Sequence, residues 1–308
     1  MEHDSRSSHT HHSHDHAQLN YGRAFAFGIA LNLAYLGGEA VAGILSGSLA
    51  LLADAGHNLG DVLGLSLSWA AAVLSRRQPS GRFTYGLRSS SILAALGNAV
   101  ILLVVTGGIA WEAISRIAHP VPVAAGIVIA VAAVGILING GTALLFASGT
   151  RDLNVKSAFL HLASDALVTT GVVAAGVAIW FTGWQRLDPA ISLVISAVIV
   201  IGTWGVMKSA LGLALNAVPE GVDIAAVREH LLRVPGVSGL HDLHIWGMST
   251  TETALTCHLL MPGGHPGDAV LSTVAQQLHQ RFGIEHATIQ IELADTEEAC
   301  ALTPEHIV

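Results

Sequence analysis

The chain has 308 residues, 52% of them hydrophobic and only 12% charged, against about 25% charged in average soluble domains; this excludes a wholly water-facing surface and predicts lipid around much of the chain. The formal net charge is -8 with 17 histidines counted as neutral, which excludes a basic nucleic-acid-binding face and points to metal or proton chemistry. The two cysteines, Cys257 and Cys300, are too few for a disulfide framework, and nothing argues for an oxidising compartment.

Residues 1–20 are polar and contain His3, His9, His11, His12, His14 and His16. They are expected to form a disordered His-rich tail that either collects metal weakly or is simply solvated. Polar residues precede the first apolar block, so no cleavable signal is expected. A membrane-spanning helix needs about 20 mostly apolar residues. Six blocks qualify, at approximately 23–45, 49–74, 91–115, 122–147, 157–182 and 188–207. Short Gly-, Pro- and Ser-containing connections separate them. Nine Lys and Arg residues, from Arg6 to Lys208, fall on one side of these spans, and only Arg116 and Arg186 on the other. That bias places both termini in the cytoplasm. Short loops and the lack of organelle signals suggest a bacterial inner membrane.

Within the spans, Gly and Ala allow close helix packing, and Asn32, Asn98 and Asn139 are expected to hydrogen-bond between helices, with ion contact the other reading. Glu39 follows Asn32 by seven residues, on the same helical face, and should face protein or water. After Pro219 the composition becomes soluble. Residues 222–234 and 268–282 read as helices, and 240–248, 252–261 and 286–293 as strands. This α-β-β-α-β order predicts a small two-layer α+β domain resembling ferredoxin-like metallochaperones. The fold expected is a mainly α membrane protein: a tail at 1–20, a six-helix transmembrane domain at 21–210 and a cytoplasmic α+β domain at 211–308.

The strongest chemical signal is a repeated His-x-x-x-Asp, once as His57 and Asp61 in the second span and once as His161 and Asp165 in the fifth. A spacing of four puts both side chains on one helical face. Two such helices facing each other offer two imidazoles and two carboxylates, a tetrahedral set that suits zinc. An ionisable residue at mid-membrane costs at least about 2.5 kcal/mol, and two carboxylates brought together also repel. A divalent cation removes both penalties. The alternative is a pair of hydrogen-bonded core couples, which the recurrence of the motif in segments nearly free of other ionisable groups disfavours. Asp54, three residues before His57, can orient a ligand, line the ion path or join helices. No cysteine lies in a span, and imidazole disfavours magnesium and calcium. Zinc, cobalt, iron and nickel remain; zinc fits four-coordinate geometry best and cobalt is the nearest competitor.

The segments Leu49-Ala50-Leu51-Leu52-Ala53-Asp54-Ala55-Gly56-His57, Thr84-Tyr85-Gly86-Leu87-Arg88 and His241-Asp242-Leu243-His244-Ile245-Trp246, with the paired His-x-x-x-Asp, resemble the cation diffusion facilitators, the zinc and cobalt efflux family. The resemblance covers nearly the whole chain. It implies a homodimer that exchanges metal for protons by alternating access, and His57 implies preference for zinc over cadmium. It also implies a cytoplasmic site for a structural or regulatory zinc ion at His241, His258, His286 and Glu292, with His286 one residue off its place in some relatives. Strand alternation separately allows His258 and Glu292 to share a polar face. Each of these histidines taken alone can equally be structural, His244 is either another ligand or a packing residue beside Trp246, and Cys300 is a possible addition to the site. One departure stands out: Ser89-Ser90-Ser91 follows Arg88 where many relatives carry a Glu.

The function expected is therefore efflux of a divalent metal, zinc foremost, with cobalt or a broader range as the alternative. The partners expected are the lipid bilayer, divalent metal ions, protons and a second copy of the chain, and no nucleic acid. A membrane metalloenzyme is the reading from a different class, but no His-Glu-x-x-His occurs and four protein ligands leave no open position for water, so no enzyme is expected. A metal sensor that no longer transports is opposed by the complete four-residue set.

Overall fold

A computed structural model describes residues 21–146 and 153–293. The His-rich tail and Cys300 lie outside the described residues, as does the side chain of Asn32. Six long helices come first: α1 Tyr21–Ser46, α2 Leu49–Ser75, α3 Ser90–Ala118, α4 Ala125–Phe146, α5 Leu153–Thr182 and α6 Leu187–Ala214. Then follow α7 Ile224–Leu232, β1 Gly239–Gly247, β2 Thr253–Leu260, α8 Asp268–Phe282 and β3 Ile284–Glu292. This is a mostly helical membrane protein with a small α+β domain after the helices.

Helices are the natural form of these blocks because a chain in lipid must satisfy its backbone polar groups internally. Among the described residues, α2, α3 and α6, Ala125–Leu144 of α4 and Phe159–Thr182 of α5 are long and apolar enough to cross a membrane, and α1 adds the shorter apolar stretch Leu33–Ser46. Several helices outrun their apolar blocks. Helix α6 continues past Lys208 to Ala214, because one cation ends an apolar run without ending a helix. The large apolar side chains point outward, with Leu65, Trp111 and Ile201 each more than 70% exposed. Trp111, Trp180 and Trp184 are exposed near the same end of the bundle, as an interfacial aromatic belt requires.

That end is held together by polar contacts. The α1–α2 turn passes through Gly47, at φ +71°, a left-handed conformation that glycine adopts without strain. Ser48 caps α2 by accepting from the Leu51 amide at 3.1 Å. Asp188 at the start of α6 is buried. Its carboxylate accepts from the Ser48 hydroxyl, from the Leu49 amide at 2.7 Å and from the Ala50 amide at 3.4 Å, where the positive end of α2 also favours an anion. Arg116 of α3 donates to the Gly47 carbonyl at 2.6 Å, the Ala124 amide donates to Ser46 at 2.9 Å, and the Val123 amide donates to Gln185 at 2.9 Å. Of the expected interhelical asparagines, Asn139 is buried. Asn98 points its Nδ2 at Gly64 of α2, but its Oδ1 has no hydrogen-bond partner among the described residues.

In the C-terminal domain the sheet order is β1-β2-β3. Strand β1 runs antiparallel to β2, and β3 runs parallel to β2. Asp223 caps α7 by accepting from the Ala225 amide at 2.8 Å, and Gly283 ends α8 in the left-handed conformation, φ +66°, a common helix terminator. Val227 and Leu231 of α7 and Val274 and Leu278 of α8 pack with Leu255, Cys257 and Leu259 of β2 in one core. The β1–β2 register breaks between His241 and His244, and Asp242 within the break has φ +52°, the sign of a bulge that re-aims side chains.

Two outcomes follow. Asp188→Ala leaves the Ser48 hydroxyl and two amides without their acceptor, and is expected to cost about 2–3 kcal/mol, read as a lowered unfolding midpoint in detergent micelles; an unchanged midpoint would show that the clasp carries no stability. Burial, with the Asp242 charge adding to it, pushes the Cys257 thiol up to about 12. At pH 8 a maleimide should therefore leave Cys257 unmodified in the folded protein and label it only after denaturation.

Candidate metal centres

The motif helices α2 and α5 bring His57, Asp61, His161 and Asp165 together as an alternating ring. His57 Nε2 lies 3.2 Å from Asp165 Oδ1 and 3.8 Å from Asp61 Oδ2. His161 Nε2 lies 3.4 Å from Asp61 Oδ2 and 3.6 Å from Asp165 Oδ2. A tetrahedron with metal–ligand bonds near 2.1 Å has edges of about 3.4 Å, which these four separations approach; ligand atoms of His57, Asp61 and Asp165 all fall within 4.8 Å of one another, and His161 stands beside the two aspartates at the more exposed edge. The two imidazoles meet edge-on, 6.4 Å between centroids. The ring is unevenly covered: the Asp165 side chain is 7% exposed, His57 25%, Asp61 33% and His161 51%. Asp61 is one turn nearer than His57 to the C-terminal end of α2, and His161 one turn nearer than Asp165 to the N-terminal end of α5. The open side therefore faces the bundle end that carries the α+β domain.

Behind the ring lies a buried polar chain. The Thr169 hydroxyl of α5 stands 2.9 Å from both Asp54 Oδ2 and the Asp165 carbonyl. Glu39 is fully buried; Tyr35 donates to its Oε1 at 2.8 Å and Asn58 to its Oε2 at 3.1 Å. Glu39 thus faces protein, as its position on the α1 face implies. Tyr35 and Thr169 went unnoticed in the sequence, although Tyr35 precedes Glu39 by one helical turn.

In the C-terminal domain, His258 Nδ1 lies 3.0 Å and His241 Nε2 3.3 Å from Glu292 Oε1. The two imidazoles are edge-on with centroids 5.1 Å apart. Ligand atoms of His241, His258 and Glu292 all fall within 4.8 Å of one another. His286 does not join them. The parallel register sets it opposite Ala254, whereas His258 lies opposite Gln290, so His286 sits about 20 Å along the strand from Glu292. Its ring instead meets Tyr85 edge-on at 5.8 Å. Asp242, which sequence reasoning missed, stands near the cluster: its Oδ2 is 3.5 Å from His258 Nε2, and its Oδ1 is 2.8 Å from His244 Nε2. Only the bulge makes this reach possible, and strict alternation gives no sign of it.

The serines after Arg88 also find partners in this domain. Arg88 pairs with Glu252 at 2.8 Å, Ser89 donates to the Met248 carbonyl at 3.2 Å, and Ser91 accepts from the Thr250 amide at 3.1 Å.

Comparison with known proteins agrees with this architecture. Residues 26–213 match the model described as the cation efflux transmembrane domain, and residues 219–294 that of the cation efflux protein cytoplasmic domain. The metal cation efflux system protein CzcD of Cupriavidus metallidurans is 38% identical over 292 residues, 94% of this chain and 92% of the relative. The zinc transporter ZitB of Escherichia coli is 36% identical over 288 residues, 92% of each chain. A cadmium, cobalt and zinc/H(+)-K(+) antiporter of Bacillus velezensis is 31% identical over 289 residues, again 92% of each. With a family model spanning more than half of its length, the chain belongs to the cation efflux family, the cation diffusion facilitators.

Proposed function

We propose that this chain exports a divalent metal cation, zinc foremost, in exchange for protons, and that His57, Asp61, His161 and Asp165 hold the ion during transport. The observation that carries this reading is the alternating ring, with separations of 3.2–3.8 Å, in a family of transporters rather than enzymes. Cobalt is the nearest competing cargo, since two imidazoles and two carboxylates suit it too. The ion enters on the side where Asp61 and His161 are exposed, and a rocking of the helices then opens the ring to the opposite side. Protons compete for the same four groups because ligands must be deprotonated. Moving two charges against 100 mV, inside negative, costs about 4.6 kcal/mol, which inward proton movement offsets in part.

The same reading places the protein in the bacterial inner membrane with both termini cytoplasmic, as the Lys and Arg bias implies. It takes 21–210 as the membrane unit and 211–308 as the cytoplasmic one, with 1–20 a metal-collecting tail. A homodimer is supported by the name of the family model that matches residues 219–294, ZT_dimer.

The cytoplasmic cluster fits a resident zinc ion. His241 Nε2 is buried and has no hydrogen bond among the described residues, its carboxylate neighbour Glu292 lying at 3.3 Å, as a nitrogen kept for a metal would be. His241, His258 and Glu292 would hold the ion, with Asp242 beside them, and it would tie the three strands together as a structural cross-link. His286 has no part in it.

Inside-out vesicles with an imposed proton gradient test the transport reading. The intact chain should take up zinc, and Asp61→Ala should reduce uptake at least 100-fold, to the background of empty vesicles. Failure of the intact chain with both zinc and cobalt would overturn the reading. Equilibrium dialysis of a chain lacking residues 1–20 separates the two sites: His258→Ala should bind one zinc ion fewer per chain, and an unchanged count would remove the cytoplasmic site.

A further inference from the structure

The ring residues serve metal and protons alike, whereas the buried chain behind the ring offers the proton a place of its own. Glu39 of α1 is 0% exposed and Asp54 of α2 is 1% exposed. Glu39 uses its two oxygens to accept from Tyr35 and Asn58. Asp54 accepts from Thr169 through Oδ2, while its Oδ1 is buried with no hydrogen-bond partner among the described residues. Asn58, which donates to Glu39, lies one helical turn after Asp54 on α2, so the two carboxyls occupy neighbouring positions in the same buried layer. The remaining ionisable groups that face them come from few places. Helix α1 offers Tyr35, α2 offers His57 and Asp61 beyond Asp54, and α5 offers His161 and Asp165. Helix α4 contributes no ionisable residue and only the Val131 carbonyl, 3.5 Å from the Tyr35 hydroxyl. The described side chains of these four helices include no Lys or Arg, so none of them supplies a fixed cation to balance the pair.

Two adjacent carboxyls in a dry site cannot both ionise without a cation nearby; they share a proton instead. A shared proton also gives the orphaned Asp54 Oδ1 a partner. We propose that the Glu39–Asp54 pair is a proton-carrying site distinct from the metal ring, loaded while the ring is empty and emptied when a dication occupies it. The link between the two sites is short: the Thr169 hydroxyl touches Asp54 on one side and the Asp165 backbone on the other. A dication on the ring favours the ionised pair electrostatically, and the proton leaves to solvent. By reciprocity, a proton on the pair weakens metal binding by the same factor. This proposal rests on the transport reading and supplies part of its coupling.

The fold keeps the pair in place through Gly135 of α4. A Cβ there would stand 2.1 Å from the Tyr35 hydroxyl oxygen and 3.3 Å from the Thr169 methyl, so only glycine leaves Tyr35 room to reach Glu39.

Titration calorimetry of zinc binding to the full chain in detergent, repeated in buffers of different ionisation enthalpy, counts the protons released per zinc. Glu39→Gln should release about one proton fewer. Its zinc affinity should fall below that of the intact chain at high pH and converge with it as the pH is lowered, because the intact pair then keeps its proton. An equal proton count with a parallel pH profile would overturn the proposal. Should Glu39→Gln fail to fold, Tyr35→Phe and Gly135→Ala alter no carboxyl yet disturb the pair; a pH profile unmoved in both would overturn it equally. Vesicle uptake keeps the two readings apart. If the intact chain takes up zinc along the gradient and Glu39→Gln responds to that gradient equally, this proposal falls and the transport reading stands. If the intact chain takes up nothing, the transport reading falls, and the proton count still decides whether the pair holds a proton.

Discussion

Two aspartates and two histidines face one another across α2 and α5 with separations of 3.2–3.8 Å, in helices otherwise poor in charge. Carboxylates brought out of water repel each other and lose hydration, and the arrangement is unfavourable until positive charge enters it. A divalent cation or protons on the imidazoles can each supply that charge, and the two compete for it. The remaining features of the membrane helices follow from this constraint: small residues that let the helices close on the site, a buried polar chain behind Asp165, and one side of the ring left open.

The ends of the bundle are built differently. At the end away from the α+β domain, Asp188 and Arg116 tie the start of α6 and the end of α3 to the α1–α2 turn. That clasp fastens one end of the bundle, while the more exposed ring residues lie toward the other. At the opposite end, Arg88 and the serines beside it bind the loop before β2. The loop joined to α3 connects β1 and β2, two of the strands that carry the cytoplasmic cluster. The Ser89–Ser91 run forms part of this joint.

What the sequence disclosed and what it hid have physical reasons. His-x-x-x-Asp was legible because helical periodicity fixes which residues share a face, and the same rule turned Glu39 inward. Strand parity puts His258 and Glu292 on one face, and the two meet; His286 entered the set only through the resemblance, and the parallel register carries it away toward Tyr85. Asp242 escaped because a bulge breaks the alternation on which the reading depends. Asp188 escaped because its partners, Ser48 and Leu49, lie in a distant turn that no local pattern connects to it. Helix ends were the least legible feature: α6 runs on to Ala214, beyond the last apolar block.

Zinc K-edge X-ray absorption of the protein lacking residues 1–20 and carrying His258→Ala would report the intramembrane ion alone. Four nitrogen and oxygen ligands near 2.0 Å with scattering from two imidazoles are expected. Six oxygen ligands without imidazole scattering, or a spectrum unchanged when Asp165 is also replaced by Ala, would contradict this coordination.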